Sequence, residues 1–185
     1  MVKERGSNMR RKIVFFLGLL VMVVSSFAWR WNKKEDKKMN TTVIYANYDY
    51  DVNNIVEVVK NVDCIFVGTV ISIDGYNYEN PVEMELEDGT IYVQYDTYTK
   101  YTIDVKDVIQ GELTEGINGD IIKFGGVEYG GESIAILAND ILPDIGDEYI
   151  FMGYMQDDGT ILISGENSNI SVSLYEQIVN VVRSK

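Results

Sequence analysis

Between residues 97 and 105 the chain alternates with a period of two. Thr97, Thr99, Tyr101, Ile103 and Val105 fall on one side, and Asp96, Lys100, Thr102, Asp104 and Lys106 on the other. A strand with one buried face and one wet face carries this pattern. Just upstream, Val82, Met84 and Leu86 alternate with glutamates, Asp88 and Gly89 supply a turn, and Ile91, Val93 and Tyr95 alternate on the return. That predicts a hairpin over residues 82–95 whose second strand runs on into the alternating stretch. A strand so long bends, so a bulge or coil is expected around residues 96–99.

Residues 65–73 are apolar and β-branched almost without interruption, which predicts a central strand covered on both faces. Cys64 opens it and Asp74-Gly75 ends it. Shorter strands are expected at residues 121–124, after Asn118-Gly119, and at 133–137, with Gly125-Gly126 and Gly130-Gly131 bracketing a loop or bulge between them. Pro143 and Gly146 set a turn before a strong strand at 148–155, and Asp157-Asp158-Gly159 turns the chain onto residues 160–164.

Two segments switch to helical spacing. Val52, Ile55, Val56, Val59 and Val62 share one helical face, with Asp51 or Asn53 placed to cap the start. Near the end, Ser173 and Glu176 have capping-box spacing, and Leu174, Ile178, Val181 and Val182 form a stripe that closes on Arg183 and Lys185. No βαβ rhythm or internal repeat is present. The expected fold is therefore mainly β: a small OB-like barrel or sandwich of five to seven strands, with a short N-terminal-side helix and a C-terminal amphipathic helix.

The N-terminal region has a different pattern. Lys3, Arg5, Arg10, Arg11 and Lys12 precede an apolar run over residues 13–28, broken only by Gly18, Ser25 and Ser26. Basic residues before a greasy core are read by the export machinery, with the basic end kept inside. Two outcomes stay open. Ser26-Phe27-Ala28 suits cleavage near Ala28. Alternatively, residues 13–29 form a bilayer anchor at the lower end of the roughly 17–25 residues a span needs, with Trp29 and Trp31 at the outer interface. The expected organisation is a basic terminus and anchor or signal over 1–31, a charged linker over 32–42, and an extracytoplasmic domain over 43–185.

Charge reinforces that division. Residues 1–39 carry ten Lys/Arg against three Asp/Glu, and the remainder carries six against twenty-six, so a net of +7 gives way to −20. A body this acidic repels phosphate backbones, which argues against nucleic-acid binding. The chain has no histidine, hence neither the commonest general base nor the commonest transition-metal ligand, and a single cysteine leaves no intrachain disulfide.

Three segments resemble strands of the netrin/tissue-inhibitor-like OB-type barrel domains, and of small exported bacterial proteins built on the same plan. They are Val62-Asp63-Cys64-Ile65-Phe66-Val67-Gly68-Thr69-Val70, the stretch from Tyr101 to Gly111, and Ile145-Gly146-Asp147-Glu148-Tyr149-Ile150-Phe151. The resemblance spans roughly residues 60–165 and implies a fold. The tissue inhibitors grip metalloproteases through a disulfide-tethered N-terminal cysteine, and Cys64 lies inside the first strand segment, so no inhibitory activity is implied.

Chemistry-bearing candidates are few. Cys64 lacks a histidine partner and reads as a small hydrophobe at a strand start. Asp49-x-Asp51-x-Asn53 matches the opening of a calcium loop, but its sixth and twelfth positions are Asn54 and Lys60. Asp140, Asp144 and Asp147 form a second oxygen-rich stretch. Tyr92 and Tyr98 share the wet parity of Gln94 and Lys100, which makes them candidate contact residues for a protein or sugar. No cofactor is expected. The sequence favours a non-catalytic extracytoplasmic interaction or structural module with a protein partner in the cell envelope. The alternatives are a calcium-binding surface domain and a carboxylate-based cell-wall hydrolase.

Overall fold

The computed structural model describes residues 39–185. The anchor or signal expected over residues 13–29, and most of the expected linker, lie outside the described residues. Among the described residues no helix is long and apolar enough to cross a membrane.

The domain is mainly β. Its strands are β1 (Asn40–Ile44), β2 (Cys64–Glu85), β3 (Ile91–Gln110), β4 (Gly116–Phe124), β5 (Gly126–Val127), β6 (Ser133–Leu137), β7 (Glu148–Met155), β8 (Ile161–Ile163) and β9 (Asn169–Ser171); the helices are α1 (Ile55–Asn61) and α2 (Tyr175–Arg183). That is nine strands where five to seven were expected. The additional ones are short: β1 starts inside the expected linker, β5 lies in the expected glycine loop, and β9 follows the 160–164 segment.

The larger sheet runs β2-β3-β4-β8-β7-β9, and β7 also pairs with β2, so the pairing returns to the strand where it began. Of the five contacts in this circuit, four are antiparallel and one, β4 with β8, is parallel. A smaller sheet places β6 between β1, in parallel, and β5, antiparallel.

The apolar runs in β2 and β7 follow from burial on both faces. Cys64, Phe66, Val70 and Phe151 point one way, into a cluster with Tyr101, Ile103, Val105, Ile121, Ile161 and Ile163. Ile65, Val67, Ile150 and Met152 point the other way, where Val58, Val59 and Val62 from the α1 segment and Ile178 of α2 cover them. Phe66 and Phe151 are register partners, and their rings stack at 5.3 Å. Removing such a ring from water stabilises the fold by about 1.5–3 kcal/mol. Gly153 in β7 leaves room for its neighbours, because a Cβ there would lie 2.8 Å from side-chain carbons of Ile161 and Ile163.

Several local expectations are corrected. Asp74-Gly75 does not end β2, which continues ten residues further to Glu85. The bend expected at residues 96–99 is absent from that stretch: β3 continues through it, and along the hairpin beyond Val70 the extra residues lie on β2, between Val70 and Ser72, Ile73 and Gly75, and Glu79 and Val82. An irregularity needs only one strand of a pair, and β2 supplies Gly75, Asn80 and Pro81 to absorb it. The cap of α1 is Asn54, not Asp51 or Asn53; its side chain accepts from the Val56 amide at 3.1 Å. Similarly, Ser171, not Ser173, caps the C-terminal segment, through a 3₁₀ turn at Val172–Leu174 that leads into α2.

Candidate functional site

Beyond Tyr76 and its register partner Thr99 the sheet thins to two strands. β7 pairs with β2 only over Cys64–Thr69, and β4 pairs with β3 only over Thr99–Val105, so β2 and β3 continue as a two-stranded arm closed by the Asp88-Gly89 turn. At its root the arm is braced by aromatic contacts. Tyr78, Tyr95 and Tyr129 pack with centroids 5.1–6.2 Å apart, the Tyr78 hydroxyl donates to the Val127 carbonyl, and Tyr98 bridges to Gly125. Two extended strands alone are marginal in water, so this bracing holds the arm out.

Between the arm's root and the β7–β8 turn lies a cleft of about 700 Å³. Asn77 and Glu79 form the arm side, Lys100, Gly119, Asp120 and Ile122 the floor, and Met155–Thr160 the opposite wall. Lys100 and Ile122 are register partners on β3 and β4, so the outer sheet face makes the floor. The wall is a built turn: Gln156 N–H donates to the Thr160 carbonyl at 2.8 Å and Gly159 N–H to the Gln156 carbonyl at 2.9 Å. The Asp158 carboxylate accepts the Thr160 amide at 2.9 Å, which holds its pKa below the usual carboxylate value. Four carboxylates (Glu79, Asp120, Asp157 and Asp158) face one ammonium, Lys100, so the lining is strongly acidic.

The candidate contact tyrosines occupy different settings. Tyr92 is exposed on the arm and opposite Met84. Tyr98 is half-buried at the arm's root, its ring edge-on to Phe124 at 5.3 Å, and burial raises its hydroxyl pKa. By alternation it shares the face of Lys100, two residues away in the cleft floor.

The acidic stretches make local structure. Asp51 accepts the Asn53 amide, and its own amide donates to Glu57, in the turn that starts α1. Asp144 and Asp147 form the turn into β7. Asp140 is separate, 2.7 Å from the Lys123 ammonium, which also donates to Ser168 at 2.9 Å. Burial drives Lys123 downward and Asp140 upward in pKa, each opposed by the other's charge. This buried triad was missed in the sequence. Its signal was the parity of Lys123 with the inward-facing Ile121. Sealed from solvent, neither Lys123 nor Asp140 reaches a substrate.

Among the described residues no three Cys, Asp or Glu side chains converge in a way that would hold a metal ion. Cys64 is buried, and desolvation pushes its thiol up to about 11, which is the reverse of nucleophile activation. Comparison with protein-family models and with curated proteins finds no match.

Proposed function

We propose that this chain is a non-catalytic interaction module of OB type, carried outside the cytoplasm by residues 13–29, with its binding face at the cleft between the arm and the β7–β8 turn. The OB reading is supported by the circuit β2-β3-β4-β8-β7, in which the third and fifth strands of the circuit in chain order, β4 and β8, are the parallel pair. OB barrels bind along their second and third strands and the loops joining strands one to two and four to five. Those elements here are β3, β4, the arm and the turn at 156–160, and the cleft lies among them. That coincidence carries the proposal.

A binding role is favoured over hydrolysis because the carboxylate whose pKa burial raises, Asp140, is committed to Lys123 and inaccessible. The acidic lining selects cationic partners and repels nucleic acid. Export is supported by the basic-then-apolar N-terminus and by the charge change after residue 39.

A photo-crosslinking residue at Gln156, compared with one at Glu132, tests the reading in intact cells. A discrete protein adduct from Gln156 alone is expected. Equal labelling from both sites, or release of sugar or acyl groups from cell-wall material by the purified chain, overturns it. Protease added to intact cells should digest residues 39–185; a protected domain removes the extracytoplasmic placement.

A further inference from the structure

The cleft accounts for the arm's root but not for its outer part. Beyond Tyr98, residues 91–97 hydrogen-bond in the sheet, among the described residues, only to β2, apart from the Thr97 carbonyl, which accepts from Gly125. Among the described residues, both edges of the outer arm therefore present backbone groups with no sheet partner. The β2 edge is blunted: Asn80 adopts φ 49°, Pro81 has no N–H to donate, and the register slips between Glu79 and Val82. The β3 edge over residues 91–96 (Ile-Tyr-Val-Gln-Tyr-Asp) has no proline, bulge or lysine, the devices by which natural sheets disable an edge.

Toward the tip of the arm the apolar side chains are exposed as well. Met84 and Tyr92 are register partners on one face, with Val82 and Leu86 in line, and Ile91 opposes Glu85 on the other. Val82 is 57% exposed, Ile91 64% and Leu86 49%, so this alternating apolar pattern has no core beneath it. The charge is one-sided. Residues 76–98 contain Glu79, Glu83, Glu85, Glu87, Asp88 and Asp96 and no lysine or arginine. Two such arms repel each other, which disfavours a second copy, and an anionic lipid surface repels them too. A chain bearing lysine or arginine between apolar residues matches both features.

We infer that the β3 edge at residues 91–96 receives an extended, cationic segment of another protein as an added strand. Main-chain hydrogen bonds along the edge supply affinity, alternate apolar side chains continue the Val82–Met84–Tyr92 face, and the glutamates at 83, 85 and 87 select positive charge. This assignment of the partner's chemistry rests on the interaction-module reading but uses a different surface from the cleft.

The full-length chain in zwitterionic detergent, titrated with an alternating lysine–valine decapeptide, tests it by amide hydrogen exchange. At ten times Kd, exchange at residues 91–96 should slow about tenfold. An alternating glutamate–valine peptide, and a lysine–valine peptide N-methylated on its bonding edge, should have no effect. The surface variant Glu83→Lys/Glu85→Lys/Glu87→Lys should lose the cationic peptide and gain the anionic one. Protection at residues 156–160 instead of 91–96 overturns the edge assignment while leaving the cleft reading intact. Protection of 91–96 without peptide, rising with protein concentration, gives the edge to a second copy and also overturns it, as does an absence of binding by the lysine–valine peptide.

Discussion

The Lys123 ammonium lies 2.7 Å from the Asp140 carboxylate with both side chains 1% exposed, an ion pair sealed inside a domain that otherwise keeps its charge at the surface. Desolvation makes each member dependent on the other. Lys123→Met should leave Asp140 buried and uncompensated and destabilise the fold by about 3–5 kcal/mol. The double variant Lys123→Met/Asp140→Leu should recover most of that loss. Urea denaturation of the three proteins checks it, and a double variant no more stable than the single refutes it.

Gly153 is a packing requirement. In Gly153→Ala the new methyl meets Ile161 and Ile163 side chains at 2.8 Å and the Leu162 carbonyl at 3.0 Å. Overpacking of this kind costs about 1–3 kcal/mol. Thermal unfolding of the variant should show the loss, and an unchanged midpoint would mean that β8 yields without strain.

For α1, seven residues long, the cap weighs heavily. Asn54→Ala removes the acceptor for the Val56 amide and should cost about 0.5–2 kcal/mol, whereas Asn54→Gly should cost only a few tenths. Comparing the two in denaturant separates the lost side-chain bond from backbone effects.

Cys64 offers a pH test. Its thiol, raised to about 11 by burial, stays protonated in the folded protein throughout neutral and mildly alkaline conditions. Deprotonation in the unfolded chain occurs near the ordinary value of about 8.5. Proton binding is thus tighter in the native state between these values, and stability should fall as pH rises from about 8.5 toward 11. A disulfide reagent at pH 8 should label the unfolded chain rapidly and the native one slowly; rapid native labelling would contradict the burial.

Much of this architecture is legible along the chain. The alternation from Thr97 to Val105 marks a strand with an inner and an outer face, and Thr97, Thr99, Tyr101, Ile103 and Val105 are all buried. Asp88-Gly89 and Asp157-Asp158-Gly159 announce their turns because a positive φ there needs glycine. What escapes reading depends on distant partners. β1 consists of Asn-Thr-Thr-Val-Ile and becomes a strand only because β6 pairs with it, ninety-three residues away at Asn40 and Ser133. Gly75 looks like a terminator until β3 is present to carry the ladder past it. Lys123 reads as a surface residue until Asp140 and Ser168 close over it. The cleft joins residues from β2, β3, β4 and the β7–β8 turn, so no local pattern marks it.

The two neighbours of β2 differ in how far along the chain they lie. Its pairing with β3 starts at Glu85 and Ile91 and zips outward from a tight turn, whereas Cys64 must wait for Gly153, eighty-nine residues later. Loop-closure entropy favours the near partner first. A chain interrupted before residue 148 would therefore already display its long hairpin, while Ile65 and Val67 still lacked Met152 and Ile150, their neighbours across the β2–β7 seam. Such a nascent molecule is sticky along that seam, a hazard that the export proposed above, if it takes place in the unfolded state, defers until the whole polypeptide has crossed.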